Sequence, residues 1–282
     1  MAGKQVTELD TLPSFTDTSL LPVHNGVGLK KGLLSQLASY LGTKFSNPNL
    51  LINPDFKINQ RGVTSYTSNG YTVDRWKINS GTVNASSSGI TVTLNSKGQF
   101  IQQFENTLSG THTATIKVTS ITGDCVLSIG THSLQLNKAG TFTITENGSI
   151  SGISLYKNTA GTCTINVEYI KLEQGSVATP FVAPNLAEEF VKCQRYYYKF
   201  KVLKYGIIPP EKAWVDEIIA KPFRTNPTIK IDKTFNINTS KVETKIEKIG
   251  DMYVATVRVT SNGNAQSQYG LEALVSIDAE IY

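Results

Sequence analysis

Three histidines, three cysteines and 22 acidic residues are the material from which this chain would have to build catalysis or a metal site. His24, His112 and His132 stand far apart, and none has a second ligand-type residue at metal spacing. HExxH, CxxC, GxxxxGKS/T and GxSxG motifs are absent. His112 reads as a strand residue and His132 as a turn residue. Cys125, Cys163 and Cys193 read as buried thiols acting as small apolar groups. A Cys125–Cys163 bridge is the alternative, which a reducing compartment disfavours. Glycan cleavage would need two carboxylates facing each other across a cleft. The seven acids of residues 49–180 are scattered beside turns and strand ends. No catalytic residue, metal or cofactor is therefore assigned, and the expected chemistry is binding.

Two clusters could bind. Tyr66, Tyr71, Asp74, Arg75 and Trp76 gather aromatic rings beside charged groups. They suit a sugar platform, or equally a core Trp with a structural Arg–Asp pair. Trp214 and the amide-rich loop carrying Asn264, Gln266, Gln268 and Tyr269 suit adaptable recognition of a surface. The same loop also reads as a plain hairpin tip. A third run alternates Lys192, Arg195, Lys199, Lys201 and Lys204 with Tyr196–Tyr198, Phe200 and Tyr205, the pattern of a single-strand nucleic-acid surface. It reads better as a helix end entering a strand with solvated lysines. The net charge of +5 is spread evenly: residues 49–180 hold nine Lys/Arg against seven Asp/Glu, and residues 181–282 fourteen against twelve. No nucleic-acid partner is expected.

The elements that must position these residues are mostly strands. Hydrophobic residues make up 39% and charged residues only 17%, the balance being rich in Ser, Thr, Asn and Gly. The start lacks the apolar core of a secretory signal, and no run reaches membrane length, so a soluble protein made in a cytoplasm is expected, with no membrane insertion. Residues 1–46 form a polar, extended segment followed by a helix over Lys30–Leu41, on which Leu34, Leu37 and Leu41 make an apolar stripe. Residues 49–180 alternate short strands and turns at the spacing of an antiparallel β-sandwich. The predicted strands are Ile90–Leu94, Gln99–Phe104, Thr111–Thr119, Cys125–Ile129, Ser133–Leu136, Thr141–Thr145, Ile153–Lys157 and Thr162–Leu172, with a turn at Asn79-Ser80-Gly81. In residues 181–282 a linking helix follows Pro184, capped by Asn185, with Glu188 completing a capping box. Leu186, Phe190, Cys193 and Tyr197 are spaced four, three, four, as in a coiled-coil seam. They read as an oligomer interface or as one helix packed on a sheet. A β-rich tip ends the chain, with a hairpin about Gly250-Asp251 and a long terminal strand whose edges intersubunit packing would cover.

Three stretches carry a family resemblance. Lys171-Leu172-Glu173, Gly175, Ala178-Thr179-Pro180-Phe181 and Cys193-Gln194-Arg195-Tyr196-Tyr197 resemble the junction of bacteriophage tail-fibre and receptor-binding proteins. Thr7-Glu8-Leu9, Leu20-Leu21-Pro22-Val23-His24, Gly28-Leu29-Lys30-Lys31 and Tyr40-Leu41 are similar to the amino-terminal segment that anchors such fibres. That resemblance implies virion anchoring through Leu20, Leu21, Val23, Leu34, Leu37 and Leu41. Asn49–Phe56 followed by Asp74-Arg75-Trp76 looks like the opening of a jelly-roll module grouped with carbohydrate-binding domains.

The resemblances imply a mainly β chain with an anchoring segment at 1–46, a jelly roll at 49–180, and a linking helix plus trimeric β tip at 181–282. The implied function is non-catalytic attachment of a virion to a host surface glycan or other receptor. The implied partners are two further copies of the chain, other tail proteins and the receptor. A structural fibre or adaptor is the alternative, and a polysaccharide depolymerase a further one, since carboxylate pairs can assemble across an interface.

Overall fold

The computed structural model describes residues 20–24, 29–33, 37, 41, 45–207, 214–261 and 268–281. At the amino-terminal side, β1 (Leu20–His24) pairs antiparallel with β2 (Leu29–Leu33), Leu20 opposite Leu33. This corrects the expected helix at its start, since Lys30–Leu33 is strand. A short helix is marginal in water, whereas folding back at His24 gives both strands a backbone ladder. Leu20, Leu21 and Val23 therefore lie on a hairpin strand. Leu37 and Leu41 are helical and each 42% exposed, and Leu34 falls outside the described residues.

Residues 49–174 form an antiparallel β-sandwich. Its strands are β3 (Ser65–Tyr66), β4 (Gly70–Tyr71), β5 (Lys77–Ser86), β6 (Gly89–Leu108), β7 (Thr111–Thr122), β8 (Cys125–Ile129), β9 (His132–Leu136), β10 (Gly140–Asn147), β11 (Ile150–Tyr156) and β12 (Cys163–Gln174). The hydrogen-bonded order is β10-β7-β12-β6-β11-β8-β9, with β5 on β6 and the short β3 and β4 on β5. The expected strands Ile90–Leu94 and Gln99–Phe104 are two halves of β6. The first half pairs with β12 and the second with β11, so β6 passes from one layer to the other.

The fold-over sits where Ser80 and Lys97, each followed by a glycine, take positive φ and the register shifts between Asn79 and Gly81. A side chain at Gly98 would come within 2.3 Å of Ser80 O, and one at Gly81 within 2.2 Å of Thr93 O. Asn79-Ser80-Gly81, expected as a turn between elements, is thus a kink inside one strand. Cross-strand pairing resumes on both sides of it and outweighs the local turn preference.

Between the layers lies one apolar core in which Trp76 stacks on Phe100 at 5.0 Å, with Phe56 tilted against both. Cys125 and Cys163 are free thiols within it. Thr113 and Thr115, which alternate along β7 with the core residues Ala114 and Ile116, are buried as well. The Thr113 hydroxyl bonds to Gly175 O and to Thr145.

A helix, α1 (Leu186–Gln194), leads into the last unit. Asn185 caps it, accepting from Ala187 N at 2.9 Å and Glu188 N at 3.3 Å. The strands that follow are β13 (Tyr197–Ile207), β14 (Trp214–Lys221), β15 (Thr228–Ile237), β16 (Thr239–Ile249), β17 (Met252–Ser261) and β18 (Gln268–Asp278). Sheets β13-β18-β15 and β14-β17-β16 face each other over Val202, Phe223, Val257, Val275 and Ile277. The hairpin at Gly250 stands as expected, Ile249 opposite Met252. The cover of the terminal strand does not: β18 is flanked on both sides by β13 and β15 of the same chain. Its alternation showed that one face is buried, but alternation carries no information about whose strands lie alongside.

Candidate functional site

Asp74-Arg75-Trp76 sits in a tight turn in which Thr72 N and the Thr72 hydroxyl both donate to Trp76 O, at 2.8 and 2.9 Å. Arg75 holds φ +71°, a left-handed conformation that a non-glycine residue adopts only when its surroundings over-determine it. The turn sends its side chains to opposite destinations. Trp76 enters the core with no exposed surface, its indole N–H donating to Asn53 O at 2.9 Å. Arg75 points at the last unit of the chain, 2% exposed, and pairs with Glu280 at 2.5 Å. Its second guanidinium nitrogen donates to Gln103 O at 2.7 Å, and its plane lies 3.6 Å above the Tyr196 ring.

Around this pair the two halves interlock. Arg61 lies over Tyr197 at 3.9 Å, 3.3 Å from Asp74 and 3.6 Å from Glu280. Gln60 donates to Tyr197 O at 2.7 Å, and Lys199 donates back to Arg61 O at 3.0 Å. The Tyr71 hydroxyl donates to Ile281 O. Glu105 binds Arg195 at 2.5 Å and the Tyr196 hydroxyl at 3.2 Å. Glu189 of α1 accepts from Asn53 N at 2.6 Å. Burial pushes the Asp74 carboxyl up to about 7, although the Gln60 N–H and Arg61 pull the other way. Burial likewise pushes the Tyr66 and Tyr71 phenols up to about 12 and raises the Cys193 thiol.

The predicted platform is therefore a joint. Trp76, Arg75 and Asp74 offer no surface to a ligand, because closing the sandwich and seating the last unit both require them inward. Tyr66 is half-buried and donates to Asn59. The helix stripe is divided. Cys193 and Tyr197 are buried within the chain, and Tyr197 belongs to β13, since α1 ends at Gln194. Leu186 and Phe190 stay exposed, with Val182 and Val191 nearby in sequence. The cations of the basic run are engaged internally: Lys192 with Glu189, Arg195 with Glu105, Lys199 with Arg61 O, Lys201 with Glu272 and Lys204 with Glu217. Trp214 opens β14, and Asn264 and Gln266 lie outside the described residues. Gln268 is exposed at the start of β18, and the Tyr269 ring lies against Gly206.

No protein-family model and no curated protein matches this chain. Among solved structures, recombinant discoidin II of Dictyostelium discoideum is similar over 67% of this chain and 80% of that one, at 11% identity and a TM-score of 0.18. A superposition at that score carries no argument about fold or ligand.

The segment resembling ATPF has a defined duty. Lys171, buried on β12, donates to the Thr179 hydroxyl at 2.5 Å, Thr179 O at 3.2 Å, Pro180 O at 3.1 Å and Ser46 Oγ at 3.2 Å. Glu173, also buried, pairs with Lys171 at 3.2 Å and accepts from Thr179 N at 2.8 Å and from the Thr179 hydroxyl. Asn47 N donates to the same hydroxyl at 2.9 Å, so its one donor and both acceptor positions are used. The chain thus enters and leaves the sandwich through one clamp. Beyond it Phe181 stacks on Tyr169, centroids 4.0 Å apart and 5° from parallel. This pair walls an open cleft of about 610 Å³ that also takes in Asp55, Ser88, Thr119 and Glu168. The sequence signalled the segment Ala178–Phe181 but not the cleft, whose residues come from five separate stretches. Among the described residues no group of three or more His, Cys, Asp or Glu is placed to hold a metal ion.

Proposed function

We propose that this chain is a non-catalytic receptor-binding fibre protein of a bacteriophage, a homotrimer that holds the virion to a surface glycan of its host. The observation that carries this reading is that the residues resembling the fibre junction are held in two buried clusters, one at the exit from the sandwich and one at the joint with the last unit. Cys193 to Tyr197 close onto Asp74-Arg75 and Arg61, while Lys171, Glu173 and Thr179 fix the exit from the sandwich. A joint of buried ion pairs couples two β-modules so that load on one reaches the other, the mechanical demand on an adhesive fibre. The exposed Leu186 and Phe190 are the apolar surface a further copy of the chain would cover. Three weak sites on one spike gain avidity by effective concentration.

The test is adhesion. The fluorophore-labelled full chain is incubated with cells of a panel of bacterial strains and with the same cells after periodate treatment, which cleaves vicinal diols of surface glycans. Binding to some strains that periodate abolishes supports the reading. Absence of binding to every strain whose phage carries the protein, with immunogold placing it on the virion, assigns it instead to a purely structural fibre.

A further inference from the structure

The Tyr169–Phe181 cleft has the construction of a built site. Strands β7 and β12 pair in regular register except at two opposed irregularities. Asn166 faces Ser120 and Val167 faces Val118, which leaves Thr119 out of the ladder; Tyr169 then faces Lys117, which leaves Glu168 out. Both displaced residues line the cleft and are exposed. Bulges re-aim side chains and recur beside functional sites. The next wall is the turn bearing Ser88, which closes onto the bulge through Gly89. Gly89 has φ +129°, and a side chain there would lie 2.2 Å from Val167 O. The last wall is the loop carrying Asp55, tied to β12 by the hydrogen bond from Ile170 N to Pro54 O at 2.9 Å.

From this we infer that the cleft binds a neutral pyranose, the terminal or penultimate sugar of a surface glycan, on the Tyr169–Phe181 wall; the inference rests on the attachment reading above. Stacked face to face, the pair offers an outer ring face as a flat apolar surface to the C–H face of a sugar ring. Glu168 and Asp55 are acceptor-only groups suited to vicinal hydroxyls, the Ser88 hydroxyl can donate and accept, and the Thr119 hydroxyl, which donates to Asn166 O at 3.4 Å, can accept. Asp55 is held by Lys57 at 2.9 Å, so the cleft carries two carboxylates against one ammonium and repels an anionic sugar. A peptide fits less well. β10 pairs with β7 as far as Val118 and β6 pairs with β12 over Cys163–Val167, so the strands beside the cleft leave only short edges for strand addition.

The experiment is ligand-observed saturation-transfer NMR on the full chain. The probes are the methyl glycosides of glucose, galactose, N-acetylglucosamine and rhamnose, together with glucuronic acid and N-acetylneuraminic acid. At least one neutral glycoside is expected to receive saturation, strongest on one face of the ring, while the two acids receive none. Glu168→Gln, which keeps the shape of an exposed side chain, is expected to weaken that glycoside about tenfold or more, the loss of one charge-assisted hydrogen bond. Phe181→Ala is expected to weaken it at least as much. Silence from every neutral glycoside, equal response from glucuronic acid, or unchanged affinity in Glu168→Gln would overturn the inference. The two readings separate on cells. Adhesion by wild type that both variants retain rejects this cleft and leaves attachment standing. Sugar binding without adhesion to any strain rejects attachment and leaves the cleft standing. Adhesion abolished by protease but untouched by periodate rejects a glycan at the cleft in favour of a protein receptor.

Discussion

Arg75 and Glu280, 205 positions apart, meet in an ion pair of 2.5 Å whose side chains are 2% and 0% exposed. Tyr196 covers the guanidinium, Arg75 N also donates to the Glu280 carboxylate, and Arg224 holds the Glu280 backbone carbonyl at 3.0 Å, while Arg75 Nε is buried without a hydrogen-bond partner. Burying two charges is costly, and their attraction offsets that cost only while both are present.

Removing one partner should therefore be far worse than removing both. Glu280→Gln is expected to cost about 3–5 kcal/mol, because it leaves the Arg75 guanidinium buried against a neutral group. Arg75→Met combined with Glu280→Met is expected to cost less than the single change. Denaturant unfolding of Glu280→Gln, Arg75→Met and the double variant, followed by tryptophan fluorescence, measures this. Additive losses would show that the two residues are not coupled.

Asp74 gives the joint a pH dependence of unusual sign. Its carboxyl is pushed up from 3.8 to about 7, burial being the largest cause. The native state therefore keeps a proton that the unfolded chain releases near pH 4. The stability this supplies is fully present below about pH 4 and is lost as pH rises toward 7, at up to about 1.4 kcal/mol per pH unit. Asp74→Asn, which keeps an acceptor for Gln60 N, should flatten the stability profile between pH 4 and 7. A profile as steep in the variant as in wild type would place the titration on another group.

What the sequence made legible is what depends on neighbours a few positions away. Cys125–Ile129 is a strand with the bounds its alternation and flanking turns indicate, Asn185 caps α1, and Gly250 turns its hairpin. The features that escaped are set by distant partners. Ser80 reads as a turn because its kink exists only against Lys97-Gly98 on the opposing strand. An Arg beside a Trp can be seen in the sequence, but not which of 22 acids closes on it. Thr119 and Glu168 are ordinary alternating positions until two opposed bulges lift them out of register.

The clamp at the sandwich exit turns on one hydroxyl. Thr179 donates to Glu173 and accepts from Lys171, both buried, and also accepts from the N–H of exposed Asn47. Thr179→Val preserves volume and removes all three bonds, leaving two buried charged groups short of a partner. A loss of about 2–3 kcal/mol is expected, with Thr179→Ser close to wild type. Thermal unfolding of both variants measures it, and equal stability would mean the clamp closes without the hydroxyl.

Leu186 and Phe190 decide whether the chain works in threes. Both are exposed on α1, while Cys193 and Tyr197 of the same spacing pattern already pack inside the chain. If further copies cover this face, light scattering should give a mass near three times 30.8 kDa. Leu186→Glu with Phe190→Glu should then lower it to that of one chain. Leu186 is 59% and Phe190 39% exposed, so circular dichroism and the unfolding midpoint of the separated chain check that the β fold is kept. Adhesion to cells should fall much further than single-site affinity, since avidity multiplies across copies. A wild-type chain of single mass, with adhesion unaffected by the two charges, would confine the function to one copy and make this apolar face incidental to it.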